Sequence, residues 1–280
     1  MYKAKKSGKN SFCFYEAEMQ VIAEATLALE HDLRQALEQN EFSLHYQPQI
    51  NSFEKVVSAE ALLRWQQPKR GMVSPADFIP LAEESGLIIP MGQWVLISAC
   101  TQLQQWLEQG IEMQHISVNV SPKQFRQNDF ITQVQSALAQ SGLAAEKLML
   151  EITEGIVLDN IDDTIKKMDI LKKMGIQFSI DDFGTGYSSL SYLKRLPIDE
   201  LKIDQSFVRD ISSDKDDAEI VATIIAMATH LKLMVVAEGV ENVQQLEFLV
   251  QNGCSLFQGY HFSKPLPAED LLKFIQQHNT

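Results

Sequence analysis

The sequence predicts an α/β protein whose strands close into a (β/α)8, TIM-like barrel with an antiparallel first strand, preceded by an N-terminal linker helix. Three observations carry this. Short apolar or alternating runs are regularly followed by segments of helical period, the mark of a parallel sheet with helices outside it. There are eight such runs, the number at which a parallel sheet closes into a barrel. The first two are separated only by residues 51–55, too short for the crossover helix a parallel pair needs, so they form a hairpin.

Residues 16–39 read as a helix with Val21, Ala25, Ala28, Leu29, Leu33 and Leu37 on its apolar positions. The chain begins in mid-pattern, with a basic start at Lys3, Lys5, Lys6 and Lys9, so this helix is expected to link an upstream domain to the barrel. The strands are expected at 42–50, 56–64, 115–121, 147–153, 176–182, 200–204, 232–238 and 255–260. Helices are expected at 75–84, 91–108, 130–140, 160–173, 214–230 and 243–252. Ser74 stands as a cap before Pro75 at the first helical position. Gly110, Gly142, Gly175 and Gly253 stand just past helix ends, where a left-handed residue stops the helix.

Composition narrows the function. A formal charge of −13 excludes a general nucleic-acid polymer binder, which needs a basic face to release counterions. A small phosphate ester is still admissible if metal ions reverse the sign locally. Cys13, Cys100 and Cys254 are odd in number and contain no CxxC pair, which points to a reducing, cytoplasmic setting without a disulfide framework or thiolate zinc site. The longest apolar stretch, 220–237, is broken by His230 and Lys232, and the N-terminus lacks a signal-peptide core, so no membrane contact is expected of this segment. Six scattered histidines show no metal-ligand spacing.

Active sites of such barrels lie at the C-terminal strand ends, and successive strand residues alternate faces. Ser58, Glu60, Leu62 and Arg64 share one face of strand two, against Ala59, Ala61, Leu63 and Trp65. Asn119, Glu151, Asp181, Lys202 and Glu238 each oppose apolar neighbours on their own strands, and Gln258 ends the last. Glu60, Glu151, Asp181, Asp182 and Glu238 at one mouth would repel strongly without cations. Oxygen donors suit Mg²⁺ or Mn²⁺. Charge counting favours two ions: five carboxylates give −5, two divalent ions +4 and Lys202 +1. A pair of ions can activate water and clamp an in-line displacement at phosphorus, so metal-assisted phosphodiester hydrolysis is the chemistry these residues suggest.

The string Glu60-Ala61-Leu62-Leu63-Arg64-Trp65 resembles the signature of the EAL domain family of cyclic di-GMP phosphodiesterases. Further motifs follow in family order: Tyr46-Gln47-Pro48, Val118-Asn119-Val120-Ser121, Glu151-Ile152-Thr153-Glu154, Asp181-Asp182-Phe183-Gly184-Thr185-Gly186, Leu201-Lys202-Ile203-Asp204, Glu238-Gly239-Val240-Glu241 and Gln258-Gly259-Tyr260. The resemblance spans residues 40–280 and implies a barrel with an antiparallel first strand. It implies that Glu60, Asn119, Glu151 and Asp181 ligate one metal, and that Asp181 bridges to a second, held also by Asp182. By the same resemblance Glu238 orients the attacking water, Gln258 lies beside it, and Gln47 and Arg64 contact cyclic di-GMP. Glu154 would anchor the loop 182–189, which the family couples to a homodimer. No position departs from the pattern of active members, so opening of the ring to linear pGpG is expected, not a silent receptor.

The family assigns Lys202 as general base by analogy. Physically, an ammonium among carboxylates is held protonated unless metals offset their field, so Lys202 could instead stabilise developing charge or neutralise the cluster. Asp182-Phe183-Gly184 and Gly184-Thr185-Gly186 are not kinase or Walker elements, because no glycine-rich loop precedes a strand lysine and no Walker lysine follows. Residues 1–15 resemble the tail of a GGDEF domain, which implies that the chain is the C-terminal part of a GGDEF–EAL protein. Any sensory region, or a tether of the parent to the inner membrane, would then lie upstream.

Overall fold

The computed structural model describes residues 17–159, 161–184 and 193–279, with backbone alone for 17–23, 25 and 157–159. The expected GGDEF-like tail (1–15) and most of the expected loop (185–189) therefore lie outside the described residues.

The hairpin is present. β1 (Phe42–Asn51) runs antiparallel to β2 (Val56–Gln67), pairing Gln47 with Glu60 and Gln49 with Ser58. From β2 the sheet continues in parallel through β4 (Ile116–Asn119), β5 (Leu148–Thr153), β6 (Gln177–Phe183), β7 (Glu200–Ile203), β8 (Met234–Ala237) and β9 (Leu256–Phe257). β9 then pairs antiparallel with Ile50 and Asn51 of β1, which closes the barrel. β3 (Gly71–Val73), too short to show a period, pairs with the far end of β2 outside the ring.

The last strand is shorter than the expected 255–260. Gly259 leaves the ladder because its backbone passes so close to Val240 that a Cβ there would lie 2.1 Å from the Val240 oxygen. The first helix, α1, runs Ala17–Ala36. Ser74 stands at the cap of α2 (Pro75–Ser85) but its side chain makes no cap bond; its carbonyl accepts from Asp77 and Phe78 instead. α3 (Ile88–Glu108) begins before the expected residue 91 because Pro90 falls within its first turn, where the missing N–H has no partner to lose. Short helices at Pro122–Phe125, Glu154–Asp159 and Gln205–Asp210 follow strands directly, and Ala268–His278 closes the chain.

Apolar strand faces pack outward. Val118, Leu150, Ile152, Phe178, Ile180, Leu201, Ile203, Val235 and Ala237 form a continuous core with the surrounding helices. A second cluster of Leu33, Ala36, Phe42, Trp65, Val73, Phe78 and Met91 docks α1 on the β2–β3 flap, where the Trp65 indole also donates to Glu41 at 2.8 Å. Each fully buried side chain of this kind contributes about 1.5–3 kcal/mol. No helix among the described residues is long and apolar enough to cross a membrane. Cys100 and Cys254 are buried free thiols.

Candidate active site

Inward side chains of a closed barrel stack in layers contributed by alternate strands. The cross-strand register places Gln47, Asn119, Asp181 and Glu238 nearest the C-terminal mouth. One layer down stand Glu60, Glu151, Lys202 and Gln258. Lys202, only 1% exposed, is the hub. Its Nζ lies 2.7 Å from Glu151, 2.7 Å from Glu238, 3.2 Å from Asp181 and 3.4 Å from Glu60.

The glutamines and Asn119 complete the network. Asn119 Nδ2 donates to Glu60 Oε1 at 2.6 Å, and Gln258 Nε2 donates to Glu60 Oε2 at 2.6 Å and to Gln47 Oε1 at 3.2 Å. Gln49 in turn donates to Gln258 at 3.1 Å and accepts from Ser58 at 2.6 Å. Gln258 is thus fixed at both amide atoms. A rigid amide beside a carboxylate orients it without adding charge.

Sequence phase alone sets Asp181 and Asp182 on opposite faces. The structure brings both to Glu238, with one carboxylate oxygen of each of the three within 4.8 Å of the others. The reason is local: the β6–β7 register shifts between Ile180 and Phe183, and Asp182 adopts φ 54°, a left-handed conformation that Asp tolerates better than most residues. Beyond it, Gly184 has φ +100°, and a Cβ there would lie 2.9 Å from the Phe207 ring. The Gly184 amide donates to Glu154 Oε1 at 2.9 Å, so Glu154 holds the start of the expected loop.

Electrostatics set the protonation of the cluster. Burial alone would lower the Lys202 pKa, but Asp181, Glu151, Glu238 and Glu60 raise it well above the ordinary lysine value. Burial acts to raise Glu60, yet Lys202 and the bonds from Gln258 and Asn119 hold it below the usual carboxylate range. Burial and then Glu60 push Glu151 upward. Burial, offset in part by Lys202, pushes Glu238 to about 8, and burial together with Asp181 pushes Asp182 to about 6. Burial thus disfavours the charged form of Glu151, Asp182 and Glu238, a penalty that a bound cation would offset.

Glu151 Oε1 is buried with no hydrogen-bond partner, and Asp181 Oδ1 meets only the Lys202 ammonium, at 3.2 Å. Carboxylate oxygens with this much unused acceptor capacity, near the Asp181–Asp182–Glu238 group, suit a hard divalent ion, so the residues present fit a metal.

Arg64 is half-buried near Glu60 and Tyr260, and donates to the Leu63 carbonyl at 2.9 Å. Tyr260 and Lys264 were not singled out as site residues from sequence. Tyr260 is 58% exposed, with Lys264 Nζ 5.4 Å from its ring centroid, and the pair stands on the rim just past Gln258. An exposed tyrosine two residues after a buried glutamine was the available signal. A separate cavity of about 990 Å³ lies at the opposite end of the barrel, between the hairpin turn at Asn51 and Lys55 and the C-terminal helix at Ile275 and Asn279. It holds none of the clustered carboxylates.

Glu200 was also passed over. It is 0% exposed, two residues below Lys202 on the same inward face, and burial pushes its carboxyl to about 7 despite the favourable Ser179 hydroxyl beside it. A carboxyl that ionises near 4.3 unfolded but near 7 folded binds its proton more tightly in the native state, so stability falls as pH rises between those values. Glu200→Gln removes that loss. At pH 8 the variant is expected to be more stable than the parent by about 3 kcal/mol, with the gap closing toward pH 4, as read from denaturant midpoints across the range.

A family model described as the EAL domain matches residues 30–265. Over 276 residues the chain is 46% identical to the bifunctional diguanylate cyclase/cyclic di-GMP phosphodiesterase MucR of Pseudomonas aeruginosa, covering 98% of this chain and 40% of that protein. It is 41% identical over 268 residues to the cyclic di-GMP phosphodiesterase PdeR of Escherichia coli, covering 96% of this chain and 40% of that one. The chain thus spans about two fifths of the length of these relatives. Its structure resembles that of the MucR phosphodiesterase in complex with c-di-GMP, with a TM-score of 0.85, 46% identity, and 87% of this chain and 99% of that chain covered.

Proposed function

The chain belongs to the EAL domain family, and from that premise we propose that it hydrolyses cyclic di-GMP to linear pGpG with the help of two divalent metal ions, Mg²⁺ or Mn²⁺. The relatives named for this activity support the reading. The observation that carries it is the ring of Glu60, Glu151, Asp181 and Glu238 around one buried lysine at the barrel mouth, with oxygens left over for metal.

Glu60, Asn119, Glu151 and Asp181 would hold one ion, and Asp181 with Asp182 the other. Bound there, the ions would supply Lewis acidity toward a phosphodiester and lower the pKa of an attacking water. Glu238 accepts from and orients that water, with Gln258 alongside. Lys202 Nζ, whose proton the four surrounding carboxylates favour, would direct positive charge toward the phosphodiester under attack. Arg64 and Gln47 bind the substrate, and the Tyr260 ring offers a purine base a flat partner on the rim. Glu154 anchors the chain just past Asp182 by accepting from the Gly184 amide.

The proposal extends to organisation. Residues 1–15 end an upstream GGDEF-like domain, 16–39 link it to the barrel at 40–280, and the barrel works in the cytoplasm as a homodimer. The double activity in the name of MucR favours such a parent.

Incubation with cyclic di-GMP and Mg²⁺ or Mn²⁺ should yield pGpG on chromatography. EDTA should stop the reaction, and either ion should restore it. Tight binding of cyclic di-GMP with no product under both ions would make the chain a receptor and overturn the proposal.

A further inference from the structure

Below the Lys202 layer, the barrel interior does not fill as barrels usually do. The next positions down are Gln49, Ser117, Ser179 and Val236, and beneath them Ser58, Met149, Glu200 and Leu256. All are buried. Bulky branched residues dominate such layers in most barrels; here three small serines, Ser58, Ser117 and Ser179, stand among them. Ser179 pairs with Glu200 across the β6–β7 ladder, and Ser117 stands in the same layer two strands away.

Gln49 and Ser58 satisfy each other. The Ser179 hydroxyl lies beside the Glu200 carboxyl, while Ser117 Oγ and the rest of that carboxyl lack a well-aligned partner. Each buried polar atom left unpaired would cost about 1–3 kcal/mol. An apolar filling cannot relieve that, whereas one internal water makes about three hydrogen bonds to buried polar groups.

We propose that Ser117, Ser179 and Glu200 form a buried water-binding site beneath Lys202, and that Glu200 is thereby a positioning residue for Lys202. The first half stands on geometry alone; the second rests on the proposed function. Glu200 and Lys202 lie two apart on β7 and face inward together, so the stem of Lys202 rises over the hydrated layer. Hydrogen bonds through the water fix the Glu200 carboxyl, and this supports the strand and stem that carry Nζ to Glu151 and Glu238.

A high-resolution crystal structure should contain at least one ordered water about 2.7–3.2 Å from Ser117 Oγ, Ser179 Oγ and the Glu200 carboxyl. Glu200→Leu should expel it and lower kcat for cyclic di-GMP about tenfold, the usual scale for a group supporting an active-site residue, with KM unchanged. Glu200→Gln, which keeps shape and polarity, should restore kcat. The paired change Ser117→Ala and Ser179→Ala is milder and should lower kcat in the same direction should the leucine variant not fold. A dry layer, with no ordered water on Ser117 or the Glu200 carboxyl, would overturn the site. A water present, with parental kcat in every variant, would overturn the positioning role. If the parent itself fails to hydrolyse cyclic di-GMP, the proposed function is at fault, and the water site is decided by the crystal density alone.

Discussion

Glu151→Ala, or equally Glu60→Ala, is expected to abolish turnover of cyclic di-GMP. Glu151 is buried, bonded to Lys202 through one oxygen and left with the other for a metal. Glu60 gathers Asn119, Gln258 and Lys202 on its two oxygens, so its loss frees three groups at once. If the metals supply about 4 kcal/mol of transition-state stabilisation, losing one ligand set costs about a thousandfold in kcat. Calorimetric titration with Mn²⁺ should show weakened binding in the same variants. Parental turnover by either would count against the whole assignment, since no other described group could replace a buried carboxylate at these positions.

The second large effect concerns Lys202. Lys202→Met leaves four carboxylates within reach of one another and no internal cation. Removing one partner of a buried ion pair costs about 3–5 kcal/mol. The variant should therefore unfold at markedly lower temperature than the parent in EDTA, with much of the gap recovered in Mg²⁺, because metal binds the folded state and draws the equilibrium toward it. Activity should not recover with stability: kcat in saturating Mg²⁺ is expected to stay about a thousandfold down if Nζ supplies transition-state charge. Recovery of both together would reduce Lys202 to a counter-ion.

Much of this site was legible because barrels obey two simple periodicities. Period-two alternation put Glu60, Glu151, Lys202 and Glu238 on inward faces, and the short 51–55 connection required the hairpin that brings Gln47 opposite Glu60. Those statements need only local geometry. What alternation could not foresee is the convergence of Asp181 and Asp182, since a shifted register and a left-handed residue break the rule where two consecutive carboxylates meet Glu238. Short helices such as Gln205–Asp210 escaped for a related reason: six residues hold too little periodic signal.

The sequence by itself determined the barrel, its reversed first strand and the acidic residues at its mouth, because hydrophobic period and connection length act over a few residues. Only the tertiary structure decided that one lysine sits within 3.4 Å of four carboxylates, and that Glu200 lies sealed beneath it with Ser179 beside it. Distances between strands far apart in the chain depend on how the sheet closes, and burial of a lone carboxyl depends on what every neighbouring strand points inward. Neither quantity exists until the ring is shut.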